Sequence, residues 1–289
     1  MVNYLKLLFG LFLYLPIACG TFGIKNQTED EWNLVWADEF NNNGKPDSTN
    51  WKYEHGFVRN NELQWYQPEN AYCKDGFLII EGRRERISNP RYAAESNDWR
   101  RNREFADYTS ASLLTHGLRE WQYGRLEVRA RIDTSQGAWP AIWTLGVNGP
   151  WPENGEVDVM EYYQIENKPH ILANVAWGTE KKWTPVWNSA KIPYSKLTAI
   201  DPDWHKKFHT WRMDWDVHSI QLFLDGELLN SQKLSETINA DGTNPFHQPH
   251  YLILNLAIGS NGGNPSQTQF PIKYEIDYVR LYQKKNISR

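Results

Sequence analysis

The chain of 289 residues carries a formal net charge of -4, so it has no basic footprint of the kind that nucleic acid requires. Its length can bury a full core and suits one large all-β domain plus a leader as well as two small domains. Fifteen tryptophans and fifteen tyrosines fit two readings, a β-rich core or a cleft whose flat rings cover the apolar C–H faces of sugars.

The first element is a leader. Lys6 precedes the apolar run Leu7–Leu15, and Pro16-Ile17-Ala18-Cys19-Gly20 closes it with small residues. This pattern is a secretory signal over residues 1–19, too short to span a bilayer as a mature helix. Ile17-Ala18-Cys19 resembles a bacterial lipobox, in which Cys19 would be lipidated and would tether the mature chain to a membrane. Alternatively, Ala18-Cys19-Gly20 is an A-x-A-like site. The expected location is therefore exported: an outer-membrane or cell-surface lipoprotein, or else a periplasmic or extracellular protein. Residues 20–31 read as a short polar tether and 32–285 as the working domain. With only Cys19 and Cys73 there is no disulfide framework, and Cys73 reads as a small buried hydrophobe.

Beyond Trp32 the recurring pattern is short alternating strands: Phe77–Gly82, Gly124–Ile132, Ser219–Leu224, Tyr251–Leu256 and Tyr274–Tyr282. Lys74-Asp75-Gly76 and Asp225-Gly226 are hairpin turns, because glycine takes positive φ without steric cost. In Gly124–Ile132 the charges of Arg125, Glu127, Arg129 and Arg131 alternate with apolar side chains, which predicts one wet face and one core face. One short helix is expected near Pro193–Ala199, and His209 reads as a satisfied core histidine. The predicted fold class is all-β, two packed antiparallel sheets in a jelly-roll sandwich.

The strip Gly155-Glu156-Val157-Asp158-Val159-Met160-Glu161 carries the chemistry. Residues two apart on a strand share a face, so Glu156 and Asp158 point together while Glu161 would fall among the core valines. An ionised carboxylate there is costly. A β-bulge at Val159–Met160 restores Glu161 to the polar face and aligns three acids. A calcium site is a weaker explanation, since calcium usually draws about 6–8 oxygens from a loop. Paired carboxyls ~5–5.5 Å apart are what a retaining glycosidase needs.

The strip resembles the bulged signature E-x-D-x-x-E of glycoside hydrolase family 16. Gly137–Gly146 around Trp139-Pro-Ala-Ile-Trp143 and Asn60–Tyr66 resemble that family's laminarinase-like branch, bacterial endo-β-1,3(4)-glucanases included. Tyr108–Ala111, Phe208–Trp211, Phe223–Gly226 and Ile276–Tyr282 extend the resemblance over residues 32–283. It implies a concanavalin A-like jelly roll with a concave cleft and endo-acting cleavage of β-1,3- or β-1,3-1,4-glucan. Glu156 would be nucleophile, Asp158 its electrostatic helper and Glu161 acid/base, with Trp139 and Trp143 flanking the scissile sugar. Asn60 and Glu62 would bind hydroxyls at the cleft edge, and Trp177 would be a platform. It implies no cofactor for catalysis, one structural calcium held in part by Glu39 and Asp277, and a monomer whose partner is the polysaccharide. One departure concerns Ala173-Asn174-Val175-Ala176-Trp177, where many β-1,3-specific members have histidine at the place of Ala176. That departure weakens a strictly β-1,3-specific reading. A red-algal galactan (agarose or porphyran) is the alternative substrate, against which Asn60–Tyr66 speaks for glucan, and a non-catalytic sugar-binding sandwich is the reading from another class.

Overall fold

A computed structural model describes residues 32–285. The signal segment, the tether and Cys19 lie outside the described residues.

The strands form two large sheets. The eight-stranded sheet runs β17 (Glu227–Lys233), β16 (Ser219–Leu224), β15 (His209–Trp215), β10 (Gly124–Arg131), β19 (Ile272–Lys284), β5 (Phe77–Gly82), β4 (Ala71–Lys74), with β1 (Trp32–Asp38) also on β19. The seven-stranded sheet runs β14 (Val186–Pro193), β13 (Lys168–Trp177), β12 (Glu156–Ile165), β11 (Ala138–Gly146), β18 (His250–Ile258), β9 (Ser112–Leu114), β2 (Lys52–Tyr53). Two small ladders join β3 (Gln64–Tyr66) to β8 (Tyr108–Ser110) and β6 (Ile87–Ser88) to β7 (Phe105–Ala106). All pairings within the two large sheets are antiparallel, as the alternation predicts.

One apolar core lies between the sheets. Leu126 and Val128 of β10 and Ile276 and Val279 of β19 meet Val157, Val159 and Met160 of β12 and Leu252 and Leu254 of β18. The expected wet face of β10 exists, but its charges are paired: Arg125 with Asp214, Arg129 with Asp277 and Arg131 with Glu275. Both hairpins place an aspartate and a glycine at positive φ, Asp75 with Gly76 and Asp225 with Gly226. The single α-helix among the described residues, α1, covers Tyr194–Ile200, one residue beyond its expected place. Cys73 is buried at 5 % exposure. His209 is indeed satisfied, with Asp225 on Nδ1 at 2.6 Å and the Trp204 carbonyl on Nε2 at 2.9 Å.

The calcium expectation meets a different arrangement. Both carboxylate oxygens of Glu39 accept from the Arg280 guanidinium, at 2.7 and 2.9 Å, and Asp277 is ion-paired to Arg129. A cation would have to displace two guanidinium groups, and among the described residues no cluster of three or more His, Cys, Asp or Glu side chains is arranged to hold a metal. These residues do not fit a calcium ion.

Candidate active site

The site is built on β12. On both sides its register slips by one residue: Trp143 faces Asp158 while Ile142 faces Met160, and Asn174 faces Asp158 while Leu172 faces Glu161. One residue is therefore extra at Val159–Met160, which is the expected bulge. Both bulged side chains are fully buried in the core, and Glu161 is returned to the face of Glu156 and Asp158. The strand enters this geometry through Gly155, at φ +77°, where a Cβ would stand 2.8 Å from Pro245. Only glycine fits that backbone and that gap.

The three acids are held unequally. Glu156 accepts from the indole Nε1 of Trp151 at 2.5 Å and from the Asp158 carboxyl. A hydrogen bond between two carboxyls needs a proton on one of them. Asp158, at 1 % exposure, holds a proton more readily than an ordinary carboxyl: burial and the charges of Glu161 and Glu156 push it well above the usual carboxylate range. Burial also raises Glu156, but the hydrogen bonds from Asp158 and Trp151 and the Arg59 charge oppose this. Glu161 is raised to about 7, first by burial and then by the charge of Glu156. Trp139 Nε1 donates to Glu161 at 3.0 Å, and the Asn174 amide donates both to Asp158 at 3.0 Å and to Glu161 at 3.1 Å. Two titratable groups whose environments push their proton affinities apart are the usual mark of an acid and a base.

A cavity of about 410 Å³ opens beside Glu161, lined by Trp139, Trp151, Glu161, Asn174, Trp187 and Lys191 among others. Asn60 lines it as well. Trp139 lines it and stands edge-on to Tyr163. Trp143 shares that face opposite Asp158, but it is 8 % exposed, its Nε1 donates to Asn255 at 2.7 Å, and Arg59 lies 5.0 Å above its ring.

Two expectations need correction. Glu62 is not at the cleft edge but buried at 2 %, accepting from Gln64 at 2.6 Å, and it supports the loop from below. Trp177 is not a platform. Strand alternation puts Asn174 and Ala176 on the face of the acids, and Trp177 on the opposite face with Val175, inside the core. Trp177→Ala is expected to cost about 3–5 kcal/mol of stability, read as a fall in denaturation midpoint with KM unchanged. A raised KM at unchanged stability would restore the platform role.

Ala176 faces Glu156 across the ladder yet is fully buried, so the missing histidine leaves no open hole. Four site residues escaped the sequence reading: Arg59, Trp151, Asn174 and Trp187. Asn174 was readable by parity, two residues before Ala176 on the same face. Trp151 sits just before the acid strip, but its contact depends on how residues 147–155 turn back.

Known proteins agree with this geometry. The model of Glycosyl hydrolases family 16 matches residues 87–280. A β-glucanase of Rhodothermus marinus is 33 % identical over 94 % of this chain and 92 % of its own. A non-specific endo-β-1,3(4)-glucanase, SCLam, is 35 % identical with a TM-score of 0.70, covering 89 % of this chain and 92 % of that one. A structure from work on endo-acting O-glycanases, which prominent members of the human gut microbiota express to initiate mucin breakdown, is 36 % identical with a TM-score of 0.80, over 89 % and 92 % of the two chains. Bulged acid strand, jelly-roll scaffold and matching relatives lead to one conclusion: the chain belongs to glycoside hydrolase family 16.

Proposed function

We propose that this chain is an exported, endo-acting glycoside hydrolase that cleaves β-1,3- or mixed-linkage β-1,3-1,4-glucan with retention of anomeric configuration. The observation that carries the proposal is the bulge of β12, which sets Glu161 on the face of Glu156 and Asp158, with Trp139 and Asn174 donating to Glu161 and Trp151 donating to Glu156. Glu156 attacks the anomeric carbon as the bond to the leaving oxygen breaks, and Glu161 passes its proton to that oxygen. A glycosyl ester on Glu156 results. Glu161, now ionised, takes a proton from water, whose oxygen attacks the anomeric carbon and releases Glu156. Asp158 donates to Glu156 and keeps it ionised between turnovers. Trp139 forms the floor beside the scissile sugar, Trp143 under Arg59 forms a wall, and Asn60 contacts a hydroxyl at the rim. The reaction uses the protein's own carboxyls and water. Export by the segment 1–19, with Cys19 as a lipid anchor, and action as a monomer complete the proposal.

The glucan substrate is supported by the relatives named β-glucanase and endo-β-1,3(4)-glucanase. A different glycan is the second reading: a mucin O-glycan, toward which the O-glycanase structure at TM-score 0.80 points, or a red-algal galactan, with Ala176 beside Glu156 weakening a strictly β-1,3-specific reading. Side-by-side digestion of laminarin, barley β-glucan, lichenan, agarose, porphyran and mucin O-glycans tests both. Oligosaccharide ladders from the first three are expected. Activity confined to the last three moves the substrate to the second reading, and inactivity on all six overturns the proposal.

A further inference from the structure

The register of the seven-stranded sheet repeats the spacing of the acids on its edge strand. Glu156 faces Ala176, which faces Trp187; Asp158 faces Asn174, which faces Ser189; Glu161 faces Leu172, which faces Lys191. Side chains opposed in a ladder stand on one face, so Trp187, Ser189 and Lys191 share the side of the acids. The burial of β14 agrees: these three are exposed, whereas Ala190 and Ile192 pack against the core and Asn188 bonds to Gln232. Two strand spacings put the stripe ~10 Å from the acids, far enough to hold a sugar other than the one being cleaved. Trp187, Ser189 and Lys191 line the cavity that holds Glu161 and Trp139.

A structural role accounts poorly for this stripe. Trp187 is 42 % exposed on an edge strand and takes no part in the hydrophobic core, and among the described residues Lys191 has no ion-pair partner. A large ring left open to water beside a catalytic cavity is the feature a sugar face covers.

We propose that Trp187, Ser189 and Lys191 form a distal sugar-binding subsite. The Trp187 ring carries the C–H face of a pyranose, while the Ser189 hydroxyl and the Lys191 ammonium donate to its hydroxyls. The subsite serves a polymer and gives the enzyme its dependence on chain length. The inference rests on the proposed glycan cleavage and adds to it a means of recognising long chains.

The test is kcat/KM of wild type, Trp187→Ala, Trp187→Phe and Lys191→Ala on β-glucan oligosaccharides of increasing length and on the polymer. Trp187→Ala is expected to lose about tenfold on the polymer, equivalent to about 1.4 kcal/mol, through KM. The loss should shrink as the substrate shortens, and Trp187→Phe should recover most of it. An equal loss at every length, or no loss at all, overturns the subsite. Should Trp187→Ala fail to fold, Lys191→Ala and Trp187→Phe carry the same length series. If the wild type cleaves none of the glucans, the glucan reading fails by itself; the stripe is then read from binding of mucin O-glycan oligosaccharides to Glu156→Gln with and without Trp187→Ala, where equal affinity overturns it.

Discussion

Glu156→Gln is expected to lower kcat on β-glucan by on the order of 10⁴-fold or more, the scale seen when a covalent nucleophile is removed, while oligosaccharides still bind. The amide cannot form the glycosyl ester, so the reaction loses its first step instead of being slowed in it. The fold should tolerate the change. Glu156 is only half-buried, and the amide oxygen still accepts from Trp151. Removing the Glu156 charge also relieves its repulsion on Glu161. Steady-state kinetics and calorimetric titration with an oligosaccharide check both halves. A variant within tenfold of wild-type turnover would remove Glu156 from the mechanism.

Activity is expected to fall as pH rises through about 7, because Glu161 must carry a proton to protonate the leaving oxygen and is raised to about that value by burial and the neighbouring Glu156 charge. Glu161→Gln should lower kcat by about 10²–10⁴-fold and flatten this alkaline limb, with partial recovery on substrates whose leaving group needs no proton. The same shift has a stability consequence. Because the folded state holds the Glu161 proton more tightly than the unfolded chain, ionising it penalises the fold. The penalty is absent below the ordinary carboxylate range and complete above about 7. Glu161→Gln should therefore raise the melting temperature more at pH 8 than at pH 4. A melting temperature that shifts equally at both values would show that Glu161 titrates as an ordinary exposed acid.

Much of this site was legible in the sequence because strand parity is a strict rule. Glu161 sits at odd spacing from Glu156, and burying a carboxylate among valines is costly. Together these facts place the bulge at Val159–Met160, and the register slips there on both sides of β12. The same rule, applied one strand further, would have turned Trp177 inward and Asn174 outward. The family motif at Trp177 drew attention to the ring instead of to its face. Other features depend on contacts between segments remote in the chain. The segment around Glu62 is tied to β18, where Leu63 N–H donates to the Ile258 carbonyl and Ile258 N–H donates to Gln64 Oε1, and Arg59 reaches over Trp143 on a different strand. Nothing near Glu39 or Asp277 in the sequence marks a partner, and their arginine partners come from β19 and β10. Trp187 gave no signal at all until the register placed it opposite Ala176.

A double displacement by Glu156 as nucleophile and Glu161 as acid/base retains anomeric configuration, and product stereochemistry tests it most directly. Proton NMR of the first sugar released by wild-type enzyme from barley β-glucan or laminarin, followed before mutarotation, should show the β-anomer first and the α-anomer growing in later. An α-anomer at the earliest time points would mean single inversion by water and would contradict the covalent role of Glu156.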